Sequence, residues 1–332
     1  LGFAVNVLGR PALKAHDSRR WQNNPHLSVS LAYVRDIMLY LRHTGIRMYR
    51  LSSDLAPYAT HPERPRFHGQ VEACRAQLAE LGRLAHEDDV RLSFHPAAYV
   101  VLNGLDEGAA ARGAAELEVQ AAMLDAMGLD DRAVVVIHGG GVYDDKTAAM
   151  ERFVRRWERL GEAPRRRLVL ENDERSYAVP DIRWLHERTG VRLVFDYLHF
   201  LNHNPQHLSV QEALDLCLQT WPVHVTPKVH FSSPRTEMRE TEGVDPVTGR
   251  RKRMLKLPLW TQHADFVNPF EFHAFLEASA GTRDFDVMLE VKAKDLALLR
   301  LREDLRRFFP SWAARLGFGN DGGGPQALTP VV

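Results

Sequence analysis

Six apolar runs in this chain of 332 residues each end in one His, Asp or Glu. His95 follows Val90-Arg91-Leu92-Ser93-Phe94, and His138 follows Ala133-Val134-Val135-Val136-Ile137. Glu171 ends Arg167-Leu168-Val169-Leu170, and Asp196 follows Val191-Arg192-Leu193-Val194-Phe195. His230 closes Pro227-Lys228-Val229, and Glu290 follows Phe285-Asp286-Val287-Met288-Leu289. His199, three residues past Asp196, and His263, in Thr261-Gln262-His263-Ala264-Asp265, complete a set of five His, two Glu and one Asp. Imidazole and carboxylate without cysteine suit Mn²⁺, Zn²⁺ or Fe²⁺ and argue against a structural thiolate zinc. The set exceeds what one ion needs, so two or three divalent ions are expected. A central carboxylate such as Glu171 can bridge two ions, which in hydrolytic sites lie roughly 3.5–4 Å apart. One strand-end histidine alone is more often a hydrogen-bonded loop residue, but packing does not explain the recurrence.

Positioning such a set requires elements that end on one side of the molecule. Apolar runs with strand character cover 1–6, 46–52 and the segments ending at His95, His138, Glu171, Asp196, His230 and Glu290. Helical periodicity separates them at 30–43, 70–86, about 109–127, 146–160, 180–189, 209–219, 269–279 and 294–309. Gly45 stops the first helix. Eight strands alternating with helices predict an α/β, single-domain (β/α)₈ barrel of the TIM type over 1–316, its metal site at the C-terminal strand ends. A loop is inserted at about 234–260, and the Gly- and Pro-rich stretch 317–332 reads as a disordered tail. Gly139-Gly140-Gly141 lacks the spacing of a phosphate loop and reads as a tight backbone turn beside a ligand.

Composition narrows the function. Lys+Arg and Asp+Glu both count 43, so no global field draws the chain to a polyanion and any DNA contact must be local. The 16 histidines are the compositional outlier. Cys74 and Cys217 read as buried thiols in a reducing compartment. No run is long enough to span a membrane and no signal peptide is visible, so a cytoplasmic protein, nucleoid-associated when on DNA, is expected, with no obligate protein partner evident.

With these residues in place the chain resembles the UV damage endonuclease family over nearly its whole length. The resemblance is carried by Tyr49-Arg50-Leu51-Ser52-Ser53 with Ala59-Thr60-His61, Ser93-Phe94-His95-Pro96 with Val100-Val101-Leu102-Asn103, and Val136-Ile137-His138-Gly139-Gly140. It continues in Leu170-Glu171-Asn172-Asp173-Glu174, Lys228-Val229-His230-Phe231-Ser232-Ser233-Pro234, His263-Ala264-Asp265-Phe266 and Glu290-Val291-Lys292-Ala293-Lys294-Asp295. It implies a barrel related to endonuclease IV and sugar isomerases, and an endonuclease that with Mn²⁺ nicks double-stranded DNA immediately 5′ of ultraviolet photoproducts (cyclobutane pyrimidine dimers and 6-4 photoproducts). The implied metal ligands are His95, His138, Glu171, Asp196, His199, His230, His263 and Glu290, the set already found from strand ends and spacing. Glu171 and Lys228 are implied at the catalytic centre, where Lys228 matches a lysine that the family can carboxylate; a plain phosphate-contacting lysine is the alternative. Tyr99, Arg50, His61 and Arg235 are the candidate DNA contacts. An abasic-site endonuclease on the same metals, or a metal-dependent sugar isomerase, is the competing reading.

Two departures from the family pattern stand out. In His95-Pro96-Ala97-Ala98-Tyr99 the aromatic persists, but Ala98 stands where the family carries a hydrogen-bonding side chain that probes the gap left by the flipped lesion. The insertion contains Asp245-Pro246-Val247-Thr248-Gly249 and then Arg250-Arg251-Lys252-Arg253, a turn signal and four cations, which predicts a hairpin gripping the DNA backbone or else a solvated loop.

Overall fold

The computed structural model describes residues 1–245 and 247–318. Eight parallel strands form one sheet: β1 (Gly2–Ala4), β2 (Met48–Arg50), β3 (Arg91–Ser93), β4 (Val135–His138), β5 (Leu168–Glu171), β6 (Arg192–Asp196), β7 (Lys228–Phe231) and β12 (Asp286–Leu289). Their order is β3-β2-β1-β12-β7-β6-β5-β4, and a parallel bridge between Phe94 and Val135 links the two ends, so the sheet closes as a (β/α)₈ barrel. Helices α1 (Leu27–Thr44), α3 (Arg75–Glu87), α4 (Glu107–Ala126), α5 (Lys146–Trp157), α7 (Val179–Thr189), α9 (Val210–Leu218), α10 (Pro269–Ala278) and α11 (Lys294–Phe308) surround it. Short helices α2 (Gln70–Ala73), α6 (Glu162–Arg167), α8 (Tyr197–Asn202) and α12 (Pro310–Arg315) fill the connections.

Local chemistry sets the boundaries. Gly45, at φ 61°, terminates α1 as the left-handed residue that glycine accommodates without strain. Asp106, Asp145 and Asn268 cap α4, α5 and α10 through their side-chain oxygens. Side chains alternate across each strand, and this parity decides what the barrel encloses. Phe3, Tyr49, Leu92, Ile137, Leu170, Phe195, Phe231 and Leu289 point outward into the main core against the helices. The opposite parity carries Arg50, Ser93, Lys228 and the ends at His138, Glu171, Asp196 and His230, above Val134, Val136, Val169 and Val194, which pack with Trp221 and Val225. Every ligand expected at a strand end therefore lies on the interior parity.

The inserted segment folds differently from a plain loop. β8 (Pro234–Arg235) pairs with β11 (Leu259–His263), and β9 (Arg239–Val244) pairs with β10 (Arg251–Lys256) as an antiparallel ribbon. Asp245 N donates to Arg250 O, and Gly249 adopts φ 65° in the turn. The expected tail at 317–332 is corrected at its start: Gly317 N and Phe318 N bond to Ala314 O and Ala313 O, closing α12. The rest of that stretch, 319–332, lies outside the described residues. Cys74 and Cys217 are buried free thiols. Among the described residues, no helix is long and apolar enough to cross a membrane.

Candidate metal centre and DNA-facing mouth

Strand register brings the ligands together. His138 is the register partner of Glu171 and Asp196 that of His230, so each pair sits side by side across a ladder rung. Glu290 N bonds to Phe231 O, placing Glu290 one strand further round, and His95 follows β3 at the closing bridge. Six consecutive strands of the ring thus raise one ligand each to the C-terminal rim.

Ligand atoms converge into two groups, each within 4.8 Å: His95, His138 and Glu171, and Glu171, Asp196, His230 and Glu290. Glu171 belongs to both. Its Oε2 lies 3.2 Å from His95 Nε2 and 3.9 Å from His138 Nε2, while Oε1 lies 2.6 Å from His230 Nδ1. Arg50, at the end of β2, donates to Glu290 and lies 3.0 Å from His230 Nε2.

His199 and His263 stand outside these tight groups. Asp196 caps α8 by accepting from His199 N at 2.8 Å, which explains the Asp-x-x-His spacing. The His199 Nδ1 faces Asn172 O at 2.9 Å and lies 3.7 Å from both Glu171 and Asp196. His263, on β11, is held by Ser232 Oγ at 2.6 Å, its ring 6.2 Å from that of His199.

Burial sets the protonation pattern. Glu171 and Asp196 are fully buried, and Glu290 nearly so. Burial, then the negative charges of Glu290 and Asp196, hold the Glu171 carboxyl well above its ordinary range. Burial also acts upward on Glu290, but Arg50 and then His230 outweigh it and leave that carboxyl well below the usual range. Desolvation lowers His95, His138 and His230, with Arg50 adding to it at His95. His199 goes the other way: burial opposes its charge, but Asp196, Glu290 and Asn172 O raise it.

Three buried carboxylates face one guanidinium, and Asp196 Oδ2 and His138 Nδ1 are buried without a protein partner. Buried polar atoms are rarely left so, and a cation held by neutral imidazole and carboxylate meets the deficit. The donor set fits divalent metal.

Other expected site residues fall in three places. Lys228 is fully buried two positions below His230, its Nζ donating to Ser93 Oγ at 3.0 Å. Burial, with Arg50 and Arg91 nearby, lowers its pKa well below the lysine value. Arg50 and Arg235, two of the candidate DNA contacts, are 8% and 3% exposed in the free protein. Arg50 is drawn inward by Glu290; Arg235 donates to Leu257 O at 3.1 Å and pins the root of the ribbon. Tyr99 is 72% exposed on the rim. Beside it opens a cavity of about 870 Å³, walled by His16, Tyr58, His61, Glu116 and Gln120 among others.

Gln120 has no sequence signal, and Ser93, Asn172 and Ser232 stand in motifs of the sequence without a role of their own. Asn172 is legible only in part, as the residue after Glu171: its amide bonds both ways to the Asp196 backbone, at 3.0 and 2.8 Å, locking β5 to β6. The glycines after His138 pack closely on protein: a Cβ on Gly140, already at φ 88°, would lie 2.1 Å from Asn103 Oδ1.

The profile of the family described as UV-endonuclease UvdE matches residues 14–310. The chain belongs to the UV-endonuclease UvdE family. A UV DNA damage endonuclease of Bacillus velezensis is 32% identical over 293 residues, 87% of this chain and 85% of its own. One from Bacillus pumilus is 32% identical over 274 residues, 82% of this chain and 78% of its own. The crystal structure of SacUVDE superposes with a TM-score of 0.75 at 27% identity, covering 92% of this chain and 97% of that one. The Escherichia coli 3-keto-D-glucoside 4-epimerase YcjR reaches a TM-score of 0.52 at 13% identity, over 95% of this chain and 98% of its own, a likeness of fold alone. Membership of the UvdE family makes this protein an enzyme acting on DNA phosphodiester bonds.

Proposed function

We propose that the protein is a divalent-metal-dependent DNA repair endonuclease that nicks the phosphodiester immediately 5′ of ultraviolet photoproducts. The observation that carries the reading is the pair of ligand groups sharing Glu171 on the floor of the barrel mouth, with an exposed aromatic on its rim. His95, His138 and Glu171 would hold one ion, and Glu171, Asp196, His230 and Glu290 a second, with His199 and His263 beside them for a third. When bound, two or three divalent ions, Mn²⁺ in the first instance, would supply Lewis acidity for the attack of water on phosphorus and offset the charge on the departing 3′-oxygen.

The chain's own groups do the rest. Arg50 holds Glu290 ionised and adds positive charge beneath the phosphate. Asn172 fixes the Asp196 backbone, and the Asp196 cap orients His199. Tyr99 is free to stack in the gap left by an extruded lesion, whose flipping costs least where the duplex is already distorted. Ala98 leaves the hydrogen-bonding part of lesion recognition to other groups. Gln120 suits that part: it is 1% exposed, lines the cavity beside Tyr99, and both its amide atoms lack a protein partner. One donor and one acceptor match the imide edge of a pyrimidine.

The test is a nicking assay with Mn²⁺ on matched duplexes that are undamaged, carry one cyclobutane dimer, or carry one abasic site. Cleavage 5′ of the dimer and not of undamaged DNA is expected. Cleavage of the abasic duplex alone would keep the metal chemistry and overturn the lesion assignment.

A further inference from the structure

We propose that the β9–β10 ribbon is a second duplex-docking surface, and that its working face is the one carrying Lys252 and Lys256. The inference rests on the proposed reading as a DNA endonuclease and names the partner as the phosphate backbone of the duplex flanking the cut.

The ribbon is not a packing element. All six residues of β10 are exposed, so both of its faces meet solvent, and β9 alternates between half-buried and exposed. A lone two-stranded hairpin is marginally stable in water. An element kept at that cost without an apolar face to bury invites a polar partner.

Register separates the two faces. Directly opposed residues share a face. On one, Arg251 opposes Val244, Arg253 opposes Glu242, and Leu255 opposes Glu240. The arginines there are matched across the ribbon, Arg253 to Glu240 at 3.6 Å and Arg251 to Glu242 at 3.9 Å. On the other, Lys252 opposes Gly243, Met254 opposes Thr241, and Lys256 opposes Arg239. No carboxylate of the ribbon strands lies on that face, but Arg239 is half-buried there and tied to Asp265 and, at 3.3 Å, to Glu237, which leaves the two lysines to meet a partner. Asp245, in the turn, reaches Lys252 at 3.6 Å while its other oxygen accepts from Val247 N and Thr248 N, and Lys256 has no ion-pair partner among the described residues, so the two lysines share one carboxylate where the two arginines face two. The sequence expectation of four cations at 250–253 is thereby narrowed, because two of them, Arg251 and Arg253, already face carboxylates across the ribbon.

Placement fits a duplex crossing the mouth. The ribbon is rooted after β7, and in the ring β3-β2-β1-β12-β7 that strand lies opposite β3, whose loop carries Tyr99. DNA lying over the metal centre would meet Tyr99 on one rim and the ribbon on the other. Six residues at roughly 3.3 Å give a reach of about 20 Å, or about 6 base pairs. A two-stranded ribbon also matches the major groove, about 12 Å wide. The root exposes Leu257, Leu259 and Trp260, apolar groups suited to sugar and base surfaces. It leads through β11 directly to His263, so docking there is coupled by the chain to a candidate ligand.

The test compares two variants at equal charge loss, Lys252→Gln/Lys256→Gln and Arg251→Gln/Arg253→Gln. Fluorescence anisotropy follows binding of the Mn²⁺-loaded protein to a photoproduct duplex with a non-cleavable 5′ linkage across a salt series. Each phosphate contact contributes ~0.9 to the log–log salt slope. The lysine pair is expected to flatten the slope by ~1.8, and the arginine pair by less than half as much. An unchanged slope in both variants would overturn the DNA assignment and leave an acidic protein partner as the alternative. Equal flattening by both would overturn the assignment of the face. Failure of the wild type to nick the photoproduct duplex would instead remove the endonuclease reading, independently of either variant.

Discussion

Replacing Arg50 by Met keeps the aliphatic stem and removes the one guanidinium that faces Glu171, Asp196 and Glu290. Arg50 is 8% exposed and ion-paired with Glu290, so its loss leaves a buried carboxylate uncompensated. Breaking a buried pair from one side costs about 3–5 kcal/mol. At roughly 2–4 °C per kcal/mol for a domain approaching this size, Tm of the metal-free variant should fall by about 6–20 °C. Bound divalent ions supply the same positive charge to the same carboxylates, so saturating Mn²⁺ should shrink the loss to less than half. The sign with pH follows from Glu290. Its carboxyl is depressed in the folded protein, so the stabilisation is present above the unfolded value of about 4.3 and lost as pH falls through the folded value. The penalty of Arg50→Met is therefore full at neutral pH and fades in acid. Differential scanning fluorimetry in EDTA and in Mn²⁺, at neutral and acidic pH, reads all of this. A loss of equal size with and without Mn²⁺ would refute the reasoning, since the side chain would then act through packing rather than charge.

Other expectations follow from the same geometry. Glu171→Gln should abolish nicking and weaken Mn²⁺ binding while leaving the barrel folded, because burial already keeps the metal-free carboxyl protonated over an extended range; wild-type nicking by this variant would contradict its bridging role. For the same reason metal must displace a proton from the Glu171 site, so Mn²⁺ affinity should fall as pH drops below the raised folded value; calorimetry in buffers of different ionisation enthalpy should register proton release, and pH-independent binding would count against it. Gln120→Leu should raise Tm slightly, since a buried unpaired polar group costs about 1–3 kcal/mol, yet reduce nicking of dimer DNA by about 5- to 150-fold. A fall in Tm with unchanged nicking would make Gln120 a structural residue.

The fold was legible because each barrel strand is a short apolar run ending in a polar side chain, and six of the eight ligand assignments form the two tight groups. What escaped is what depends on the third dimension. Nothing in Tyr49-Arg50-Leu51 announces an ion pair, and only the interior parity of β2 turns Arg50 toward Glu290. Arg235 looks free in Ser233-Pro234-Arg235 but is buried at the ribbon root. Gln120 sits in an amphipathic helix like any other glutamine, and its lack of partners appears only once the β2 and β3 loops fold over it. The turn residues of the β9–β10 ribbon are legible in the sequence, but the split into an arginine face opposed by glutamates and a lysine face without them needs the register.

The arrangement of charge along the barrel axis orders these pieces. At the lower end Arg91 pairs with Asp286 at 2.8 Å; above it Lys228 meets the neutral hydroxyl of Ser93; at the top three carboxylates share one guanidinium. Excess negative charge is thus confined to the open end, where cations can enter and where DNA would otherwise be repelled. A polyanionic substrate can approach that end only after metal has reversed its sign, so metal binding should control duplex affinity as well as chemistry. Affinity for a non-cleavable photoproduct duplex should accordingly rise when Mn²⁺ is added and remain low in EDTA. Equal affinity in both would mean that the rim and the ribbon carry DNA binding without help from the centre.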